Sequence, residues 1–299
     1  MRPDCPDCQG HSTFLFTATD TNRRISSESF HYYRCIVCGL LFLFPVPENL
    51  AQFYDQSYYS APRSARQEAR QEKHELAKLD LILKHTERRG TLLEIGPGRG
   101  YFAKLAKEAG FAVEAIEMDK ESCLYIEKSL GIRTYLTDQP DQALITLGEY
   151  DVIVMWQVIE HLRNPWRTLR SVAMHLSEGG LLFIATPNPY SFQLRIFQKW
   201  WLHIDAPRHI QLIPPRILSQ KAAELQLMPI TQVPFGTGNA AHNRAGWQGS
   251  LINILPTWLR ALRLMRLFLQ VVGALMGNIM KPFELDGLRG STYTMIYRK

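Results

Sequence analysis

Three alternate glycines interrupt the apolar part of this chain in a pattern that suits ligand binding. Gly96, Gly98 and Gly100 follow an apolar run that begins at Leu92, and a second such run starts at Tyr101. Glycine has no side chain to hold a ligand away from the backbone, and it tolerates the positive φ of tight loops. The pattern predicts a strand, a cofactor-binding loop and a helix. A dinucleotide fold would need its third glycine at the position of Tyr101, so the spacing argues against NAD.

An acidic residue follows the next apolar strand. Glu117 ends the run 112–116 and lies 21 positions beyond Gly96. A carboxylate at a strand end can accept hydrogen bonds from both hydroxyls of a ribose. A third apolar strand covers 150–157 and leads into His161. The order and spacing of these features predict a nucleoside-containing cofactor.

In combination, the motifs resemble those of class I S-adenosylmethionine-dependent methyltransferases, across about 75–235 of the chain. The resemblance implies that S-adenosyl-L-methionine is the cofactor and that the loop at 94–100 holds its methionine part. It also implies that Glu117 holds the ribose, and that the strand end before His161 borders the methyl donor. The residues expected to bind the cofactor are Glu94, Gly96, Gly98, Gly100, Glu117, Met118, Asp138 and Gln157.

His161 and His209 are the candidate catalytic residues. At the first position, the alternatives are that Glu160 caps a helix and that the imidazole is a hydrogen-bonded residue behind the pocket. His209 follows Asp205 and Arg208 in a segment that resembles the family's acceptor-side loop. An imidazole flanked by these charges can orient or deprotonate an acceptor hydroxyl. A hydrogen-bond network that only stabilises the loop is the alternative.

Two C-x-x-C pairs lie near the N-terminus. Cys5 and Cys8 form the first, Cys35 and Cys38 form the second, and 26 residues separate them. Four thiolates at this spacing suit a tetrahedral Zn²⁺, which can supply the folding free energy that a segment of about 40 residues lacks. Because all four ligands are sulfur, the site is expected to be structural. A redox role is the alternative, but a thioredoxin-like motif opens a helix after a strand and needs no duplicate.

A linker joins the cysteine-rich segment to the expected core. It contains an aromatic cluster with Tyr58 and Tyr59, and the following stretch, 64–88, has no Pro or Gly. Apolar residues at helical spacing predict an amphipathic helix there. The cysteine pairs, a Pro-x-Pro and a Tyr-Tyr before a methyltransferase core resemble a bacterial methyltransferase group with an N-terminal zinc ribbon. That group includes relatives of quinone-ring O-methyltransferases and enzymes encoded with polysaccharide synthesis.

An apolar stretch, 257–280, precedes the last expected strand. Arg260, Arg263 and Arg266 recur on one predicted helical face beside a wide apolar face. The longest uncharged run, 267–280, has 14 residues, fewer than the roughly 20 that cross a bilayer. An interfacial membrane helix, a lid over the substrate pocket and a dimer surface all fit this pattern. The apolar face is expected to carry Trp258, Leu262, Met265, Phe268, Leu269, Val272 and Leu275.

The composition fits an enzyme. A chain of 299 residues with 46% hydrophobic residues can form one large α/β domain with smaller attachments. The net charge is +6, and no long Lys/Arg block occurs, so no nucleic-acid partner is expected. Attraction to anionic lipid or to an acidic substrate stays open. Residues 1–12 lack a signal-peptide pattern, which predicts a cytoplasmic location, with peripheral contact at the inner face of the membrane as an option.

These features predict an α/β fold: a Rossmann-like seven-stranded class I methyltransferase sheet, mostly parallel, whose last strand is antiparallel, with a small N-terminal zinc ribbon and a C-terminal helical insertion. The expected activity is O-methylation of a small-molecule, glycan or lipid-linked acceptor. N- or C-methylation and a non-catalytic zinc-ribbon adaptor in a biosynthetic complex are the alternatives. The expected segments are the zinc ribbon at 1–45, the linker and helix at 46–90, the cofactor-binding core at 91–235, and the insertion with the last strand at 236–299.

Overall fold

The computed structural model describes residues 2–54, 65–234, 240–285 and 289–299. Tyr58, Tyr59 and the first residue of the helix expected over 64–88 lie outside the described residues. The strands are β1 (Ser12–Ala18), β2 (Phe30–Cys35), β3 (Leu41–Leu43), β4 (Thr91–Ile95), β5 (Ala112–Glu117), β6 (Arg133–Leu136), β7 (Tyr150–Trp156), β8 (Leu176–Pro187), β9 (Gln211–Leu212), β10 (Met228–Pro234) and β11 (Thr292–Arg298).

The helices alternate with the strands in the middle of the chain and cluster before the last strand. Short 3-10 turns occur at 51–53, 159–161, 198–200 and 202–204, and a π-helical turn covers 126–130. The α-helices are α1 (Ala65–Leu83), α2 (Tyr101–Glu108), α3 (Lys120–Tyr125), α4 (Pro140–Leu144), α5 (Pro165–Met174), α6 (Phe192–Phe197), α7 (Pro215–Ala223), α8 (Ala240–Ile254), α9 (Thr257–Ala261), α10 (Arg263–Ile279) and α11 (Lys281–Leu285).

The chain forms two compact units, and neither is contiguous in sequence. The division therefore differs from the four consecutive segments expected from the sequence, because contacts between distant stretches group them together. The ribbon unit comprises Met1–Asp55, Thr186–Leu218 and Pro234–Tyr293, and the sheet unit comprises Gln56–Ala185, Ser219–Val233 and Thr294–Lys299.

The sheet unit is centred on seven strands in the order β10-β11-β8-β7-β4-β5-β6. Strand β4 pairs in parallel with β5 and β7, β5 pairs in parallel with β6, and β7 pairs in parallel with β8. Strand β11 runs opposite to β8, because the N–H of Lys299, after its end, donates to the carbonyl of Gly180 near the start of β8. The expected seven-stranded, mostly parallel sheet is confirmed.

Burial on both faces explains why the central strands of this sheet read as continuous apolar runs. Leu92 and Leu93 point to opposite faces of β4, and both are fully buried. Parallel pairing also aligns the strand ends, since Ile95 lies opposite Ile116 on β5 and Met155 on β7. The residues that follow β4, β5 and β7 therefore meet at one edge of the sheet.

The ribbon unit contains an antiparallel four-stranded sheet in the order β1-β2-β3-β9. One face of this sheet packs in an apolar core that includes Tyr32 and Leu41 together with Trp201 and Trp247. The Tyr32 hydroxyl donates to the carbonyl of His209 at 2.9 Å. The N-terminal hairpins thus share a core with residues from the middle and from the end of the chain.

The helical insertion is broken where the sequence predicted one continuous helix over 257–280. Helix α9 ends at Ala261, α10 begins at Arg263, and Leu262 between them is extended, with a ψ of 112°. An extended residue cannot continue the helical hydrogen-bond ladder. The expected single helix is therefore two helices.

The prediction that Arg260, Arg263 and Arg266 share one helical face of this insertion is also wrong in part. The guanidinium of Arg260 donates through Nε to the carbonyl of Leu255 at 2.5 Å and through Nη2 to the carbonyl of Asn253. These carbonyls lie at the C-terminal end of α8, where helical partners run out. Arg260 thus stabilises the end of α8, whereas Arg263 and Arg266 are exposed.

The apolar face of α10 is rotated relative to the expectation. Met265, Leu269 and Val272, which were expected on the wide apolar face, are half-buried, and Gly273 and Gly277 are buried. None of the helices in the described part of the chain is long and apolar enough to cross a membrane. The exposed large apolar side chains of α10 are Leu264, Leu267, Phe268, Val271, Leu275 and Ile279.

Candidate active site

The glycine loop connects β4 to α2 in the sheet unit. Gly96, Gly98 and Gly100 have φ values of +73°, +56° and +73°, a region that other residues rarely adopt. A Cβ at Gly98 would meet no atom within 4 Å, so a side chain there would fill the open space beside the loop. A Cβ at Gly100 would lie 2.8 Å from Cγ1 of Ile126, which is too close. The loop therefore presents bare main chain, as a cofactor cradle requires.

Glu117 ends β5 and is hydrogen-bonded to this loop. Its Oε2 accepts from the N–H of Gly98 at 2.8 Å, and its Oε1 accepts from the N–H groups of Met118 at 2.7 Å and Asp119 at 2.9 Å. Burial raises the pKa of Glu117, and the three N–H groups act in the opposite direction. Since Oε2 receives one bond, it retains a lone pair that a ribose hydroxyl can use.

Glu94 is a buried carboxyl in β4. It is 2% exposed, and burial raises its pKa to about 8, while the charge of Lys78 acts to lower it. Its Oε2 has no hydrogen-bond partner among the described residues. The Nζ of Lys78 lies 5.5 Å from the ring centroid of Trp156. A buried carboxyl with an unused oxygen fits a cationic ligand group, such as the ammonium of a methionine moiety.

The other residues expected to bind the cofactor lie in the same unit. Met118 directly follows Glu117 and is 39% exposed. Asp138 is exposed two residues beyond β6, where the N–H of Thr137 donates to the carbonyl of Glu117 at 2.9 Å. Gln157 follows β7 with a φ of +59°, and its N–H donates to the carbonyl of Ala185. A left-handed conformation at a residue other than glycine is often found at functional sites.

His161 also belongs to the sheet unit. It is half-buried at the end of the 3-10 turn 159–161, and its N–H donates to the carbonyl of Val158 at 2.9 Å. The turn follows β7 directly, at the edge where the sheet's strand ends meet. His161 therefore lies at the edge of the sheet where the strand ends meet.

His209 lies in the ribbon unit, before β9. It is 6% exposed, and its Nδ1 lies 2.9 Å from the carbonyl oxygen of His203. Because a carbonyl can only accept, Nδ1 carries a proton and Nε2 is the basic nitrogen of the neutral ring. Burial lowers the pKa of His209, although the nearby charge of Asp205 opposes this shift. The ring is thus held in the neutral form that a general base needs.

The backbone next to His209 is fixed by a fully buried guanidinium. Arg208 donates from Nε and Nη2 to the two oxygens of Asp205, at 2.9 Å each, and from Nη2 to Asp20 at 2.6 Å. Its Nη1 donates to the second oxygen of Asp20 at 3.2 Å and to the carbonyl of Phe53 at 3.1 Å. Burial alone would raise the pKa of Asp205, but Arg208, His209 and Asn22 hold it well below its usual range. All five donor positions of Arg208 are used.

The four cysteine thiols come together in the ribbon unit. Their sulfur atoms all lie within 4.8 Å of one another, with 3.6 Å between Cys5 and Cys38 and 3.5 Å between Cys8 and Cys35. Burial acts to raise the pKa of Cys35, but the N–H groups of Cys38 and Val37 outweigh it, and the pKa is lowered to about 7. N–H groups directed at a thiolate and a compact set of four sulfurs fit a tetrahedral Zn²⁺.

All eight residues expected to bind the cofactor lie in the sheet unit with His161, whereas His209 and the four cysteines lie in the ribbon unit. Sequence reasoning missed the roles of Asp20 and Lys78. It also missed Glu284, a buried carboxyl that accepts from Trp247 at 2.9 Å and from Gln193 at 3.1 Å. A signal existed for this residue, because Glu284 is the single acid within 240–285, where every other charged residue is basic.

Comparisons with known proteins agree with this geometry. The family described as "Methyltransferase domain" matches residues 63–232. Ubiquinone biosynthesis O-methyltransferase from Caulobacter vibrioides is 36% identical over 104 residues, which cover 33% of this chain and 41% of that enzyme. The enzyme of the same name from Bordetella avium is 26% identical over 174 residues, which cover 51% of this chain and 72% of that enzyme. The chain thus spans less than two thirds of the length of some of the curated relatives it matches.

Solved structures share the fold. A SAM dependent methyltransferase from Archaeoglobus fulgidus superposes with a TM-score of 0.54 at 16% identity, over 84% of this chain and 100% of that one. Geranyl diphosphate C-methyltransferase from Streptomyces coelicolor A3(2) superposes with a TM-score of 0.51 at 18% identity, over 82% of this chain and 89% of that one. At these identities the likeness establishes the fold alone.

Proposed function

The chain belongs to the methyltransferase-domain family, and we propose that it transfers the methyl group of S-adenosylmethionine to an oxygen atom of its acceptor. The observation that carries this proposal is the hydrogen bond of 2.8 Å between the Gly98 N–H and Glu117 Oε2. It joins a bare main-chain loop to a buried acid at the carboxyl edge of a parallel sheet, where such sheets bind ligands. The O-methyltransferase names of the relatives support oxygen as the methylated atom.

The residues of the sheet unit bind and orient the cofactor. Glu117 holds the ribose hydroxyls through its remaining lone pairs, and Glu94 holds the cationic end of the methionine part. Gly96, Gly98 and Gly100 supply main chain without steric obstruction, and Met118, Asp138 and Gln157 complete the site. When bound, the cofactor supplies a methyl group made electrophilic by its sulfonium. The protein must then align an acceptor oxygen and exclude water.

His209 acts as the general base for the acceptor hydroxyl. A weakly acidic hydroxyl must lose its proton as the new O–C bond forms, and a neutral imidazole can accept that proton. The bond from Nδ1 to the carbonyl of His203 leaves Nε2 as the basic atom, and burial favours the neutral ring. His161, which follows β7 in the sheet unit, is the second candidate for this role.

The acceptor is a small molecule, a glycan or a lipid-linked compound. The relatives are named for ubiquinone biosynthesis, which favours a hydroxyl on a ring that carries a lipid tail. Such an acceptor suits a cytoplasmic protein with peripheral contact at the inner face of the membrane. N- or C-methylation is the alternative. A neutral amine is already nucleophilic and would need no base in the transfer step, whereas a methylated carbon would still have to lose a proton to a base.

The cysteine cluster holds one structural Zn²⁺. The sulfur separations of 3.5 and 3.6 Å are close to those that Zn–S bonds of about 2.3 Å impose in a tetrahedron. With four thiolate ligands the metal has no open position for water, so it stabilises the ribbon and takes no part in methyl transfer.

Cofactor binding tests the proposal most directly. Gly98→Val places a branched side chain in the open space beside the loop, so calorimetry should detect no binding of S-adenosylmethionine at concentrations that saturate the wild type. Gly98→Ala is the matched control, since it introduces the same backbone strain with little bulk and should weaken binding less. Normal binding by Gly98→Val would contradict the loop assignment.

A search for the acceptor tests the reaction. Purified protein and S-adenosylmethionine are incubated with a lipid and glycan extract, and products are sought by mass spectrometry as species heavier by one CH₂. With the acceptor identified, His209→Asn should lower kcat by about 10²–10⁴-fold at unchanged cofactor affinity. Binding of cofactor with no product from any extract would favour the adaptor alternative.

A further inference from the structure

Helix α10 buries its two glycines and exposes six of its large apolar residues. Cβ atoms at Gly273 would lie 2.7 Å from Cα of Gln248 in α8, and at Gly277 they would lie 3.4 Å from Cα of Arg244. The two helices are therefore packed backbone to backbone along this side. The Nε2 of Gln248 also donates to the carbonyl of Gln270 at 2.8 Å. These contacts fix the rotation of α10 about its axis.

Because the small side of α10 is fixed against α8, the opposite side is exposed. This outer apolar face consists of Leu264, Leu267, Phe268, Val271, Leu275 and Ile279, with Leu264 81% and Phe268 61% exposed. In water, a helix normally buries its large apolar residues. Packing through small residues with large apolar side chains outside is typical of helices that face lipid. Trp258 on α9, 68% exposed, extends the apolar surface.

The exposed charged residues of α10 and of the residues that follow it within 240–285 are cationic, whereas its exposed Gln270 and Asn278 are uncharged. Arg263 and Arg266 are exposed in the first turn of α10, and Lys281 is exposed just beyond its end. The acid within 240–285, Glu284, is buried in hydrogen bonds with Gln193, Asn243 and Trp247, so no acidic side chain of that range is exposed. An apolar stripe bordered by cations and without anions complements the surface of an anionic bilayer.

We propose that the outer apolar face of α10 is a membrane-docking surface, which lies flat on an anionic bilayer with its apolar side chains inserted at the level of the head groups. A second copy of the chain fits this face less well. In a parallel twofold contact Arg263 and Arg266 would meet the same arginines of the other copy, and in an antiparallel one they would approach its Lys281, with no exposed acid of 240–285 to pair with them in either case. The docking surface is independent of which atom the enzyme methylates.

Vesicle flotation tests the docking surface. Vesicles of phosphatidylcholine with phosphatidylglycerol should carry the wild-type protein upward, and vesicles of phosphatidylcholine alone or high salt should reduce this strongly. Leu264→Ser with Phe268→Ser, and separately Arg263→Glu with Arg266→Glu, should each weaken binding at least about tenfold, by loss of insertion and by reversal of charge. Arg260 is left intact because it stabilises the end of α8.

The matched control is Arg88→Glu with Arg170→Glu, which reverses two exposed charges of the sheet unit and should leave flotation unchanged. Fluorescence of Trp201 and Trp247, in the core of the ribbon unit, shows that the unit that carries α10 is folded in every variant. Calorimetric binding of S-adenosylmethionine separates loss of docking from loss of the cofactor site. Wild-type protein that stays with the soluble fraction overturns the proposal. So does a dimer in sedimentation analysis that dissociates with Leu264→Ser and Phe268→Ser, because the face would then bind a second copy.

Discussion

The two units bury their charged groups in different ways. In the sheet unit, Glu117 is satisfied by main-chain N–H groups, two of them from the next two residues and one from Gly98. In the ribbon unit, Arg208 bonds to Asp20, a residue 188 positions away. One unit thus relies on strand ends and local backbone, whereas the other relies on side chains from distant segments.

This difference has consequences for stability. A carboxyl that bonds to local main chain can be replaced without separating parts of the chain, so its loss should affect ligand binding more than folding. A buried guanidinium shared by Asp20 and Asp205 holds separate segments together, and its loss leaves two carboxylates buried without a counter-charge. We therefore expect that replacing the buried charged residues of the ribbon unit causes unfolding, and that replacing those of the sheet unit weakens ligand binding.

Loss of the metal should have the largest effect. We expect one Zn²⁺ per chain, held by Cys5, Cys8, Cys35 and Cys38, with an apparent binding free energy of about 10 kcal/mol near neutral pH. Cys35→Ser should therefore unfold or loosen the first 45 residues while cofactor affinity stays largely intact. Metal analysis and hydrogen exchange over 2–54 measure both effects. Protein purified without chelator that contains no zinc, or a collapse of cofactor binding in Cys35→Ser, would contradict this expectation.

Replacement of the buried guanidinium should come next. Arg208→Met should lower the free energy of unfolding by about 3–5 kcal/mol, because Asp20 and Asp205 would remain charged and buried. Chemical denaturation followed by tryptophan fluorescence measures the change, since Trp201 and Trp247 lie in the core of the ribbon unit. Arg170→Met is the control at an exposed site and should change stability by about 0.5 kcal/mol or less. Equal free energies of unfolding for both variants would show that the buried pairs of Arg208 with Asp20 and Asp205 do not stabilise the ribbon unit.

Replacement of the ribose acid should weaken the ligand and not the fold. Glu117→Ala removes an acceptor for cofactor hydroxyls, so calorimetry should find S-adenosylmethionine bound more weakly by about 1–3 kcal/mol. Glu108→Ala, an exposed acid in the same unit, is the control and should bind normally. Unchanged affinity in Glu117→Ala would remove this residue from the ribose role.

The smallest expected effect is a pH dependence of S-adenosylmethionine affinity that arises from Glu94. Its pKa is raised to about 8 by burial, so the carboxyl is protonated near neutral pH and becomes the better partner for a cation as pH rises. Affinity for S-adenosylmethionine should increase by up to about fivefold over the pH unit below 8, as the ionised fraction of the carboxyl rises. The folding contribution has the opposite sign: it is present below the ordinary glutamate pKa and is lost as pH rises through about 8. Glu94→Gln should remove this contribution from the pH dependence of cofactor affinity and from the pH dependence of the free energy of unfolding. If both pH profiles of the variant equal those of the wild type, the assignment of Glu94 is refuted.

The sequence alone predicted those parts of the molecule that depend on local order. Alternate glycines after an apolar strand, an acid at the next strand end and paired C-x-x-C motifs each act through neighbouring residues. The seven-stranded sheet was predictable because strands buried on both faces read as continuous apolar runs. The convergence of four sulfur atoms was predictable because one metal requires four ligands.

The tertiary structure alone decided which residues use their side chains for structure and which face solvent. Arg260 and Arg263 have the same type and helical spacing, yet the first stabilises carbonyls of α8 and the second is exposed. A periodic apolar pattern predicts that a helix has an apolar face and a polar face. The rotation of α10 about its axis, however, follows from the close approach of Gly273 to Gln248. The partners of Arg208 lie up to 188 residues away. Such pairings depend on how the chain folds back on itself, and no local pattern of residues encodes them.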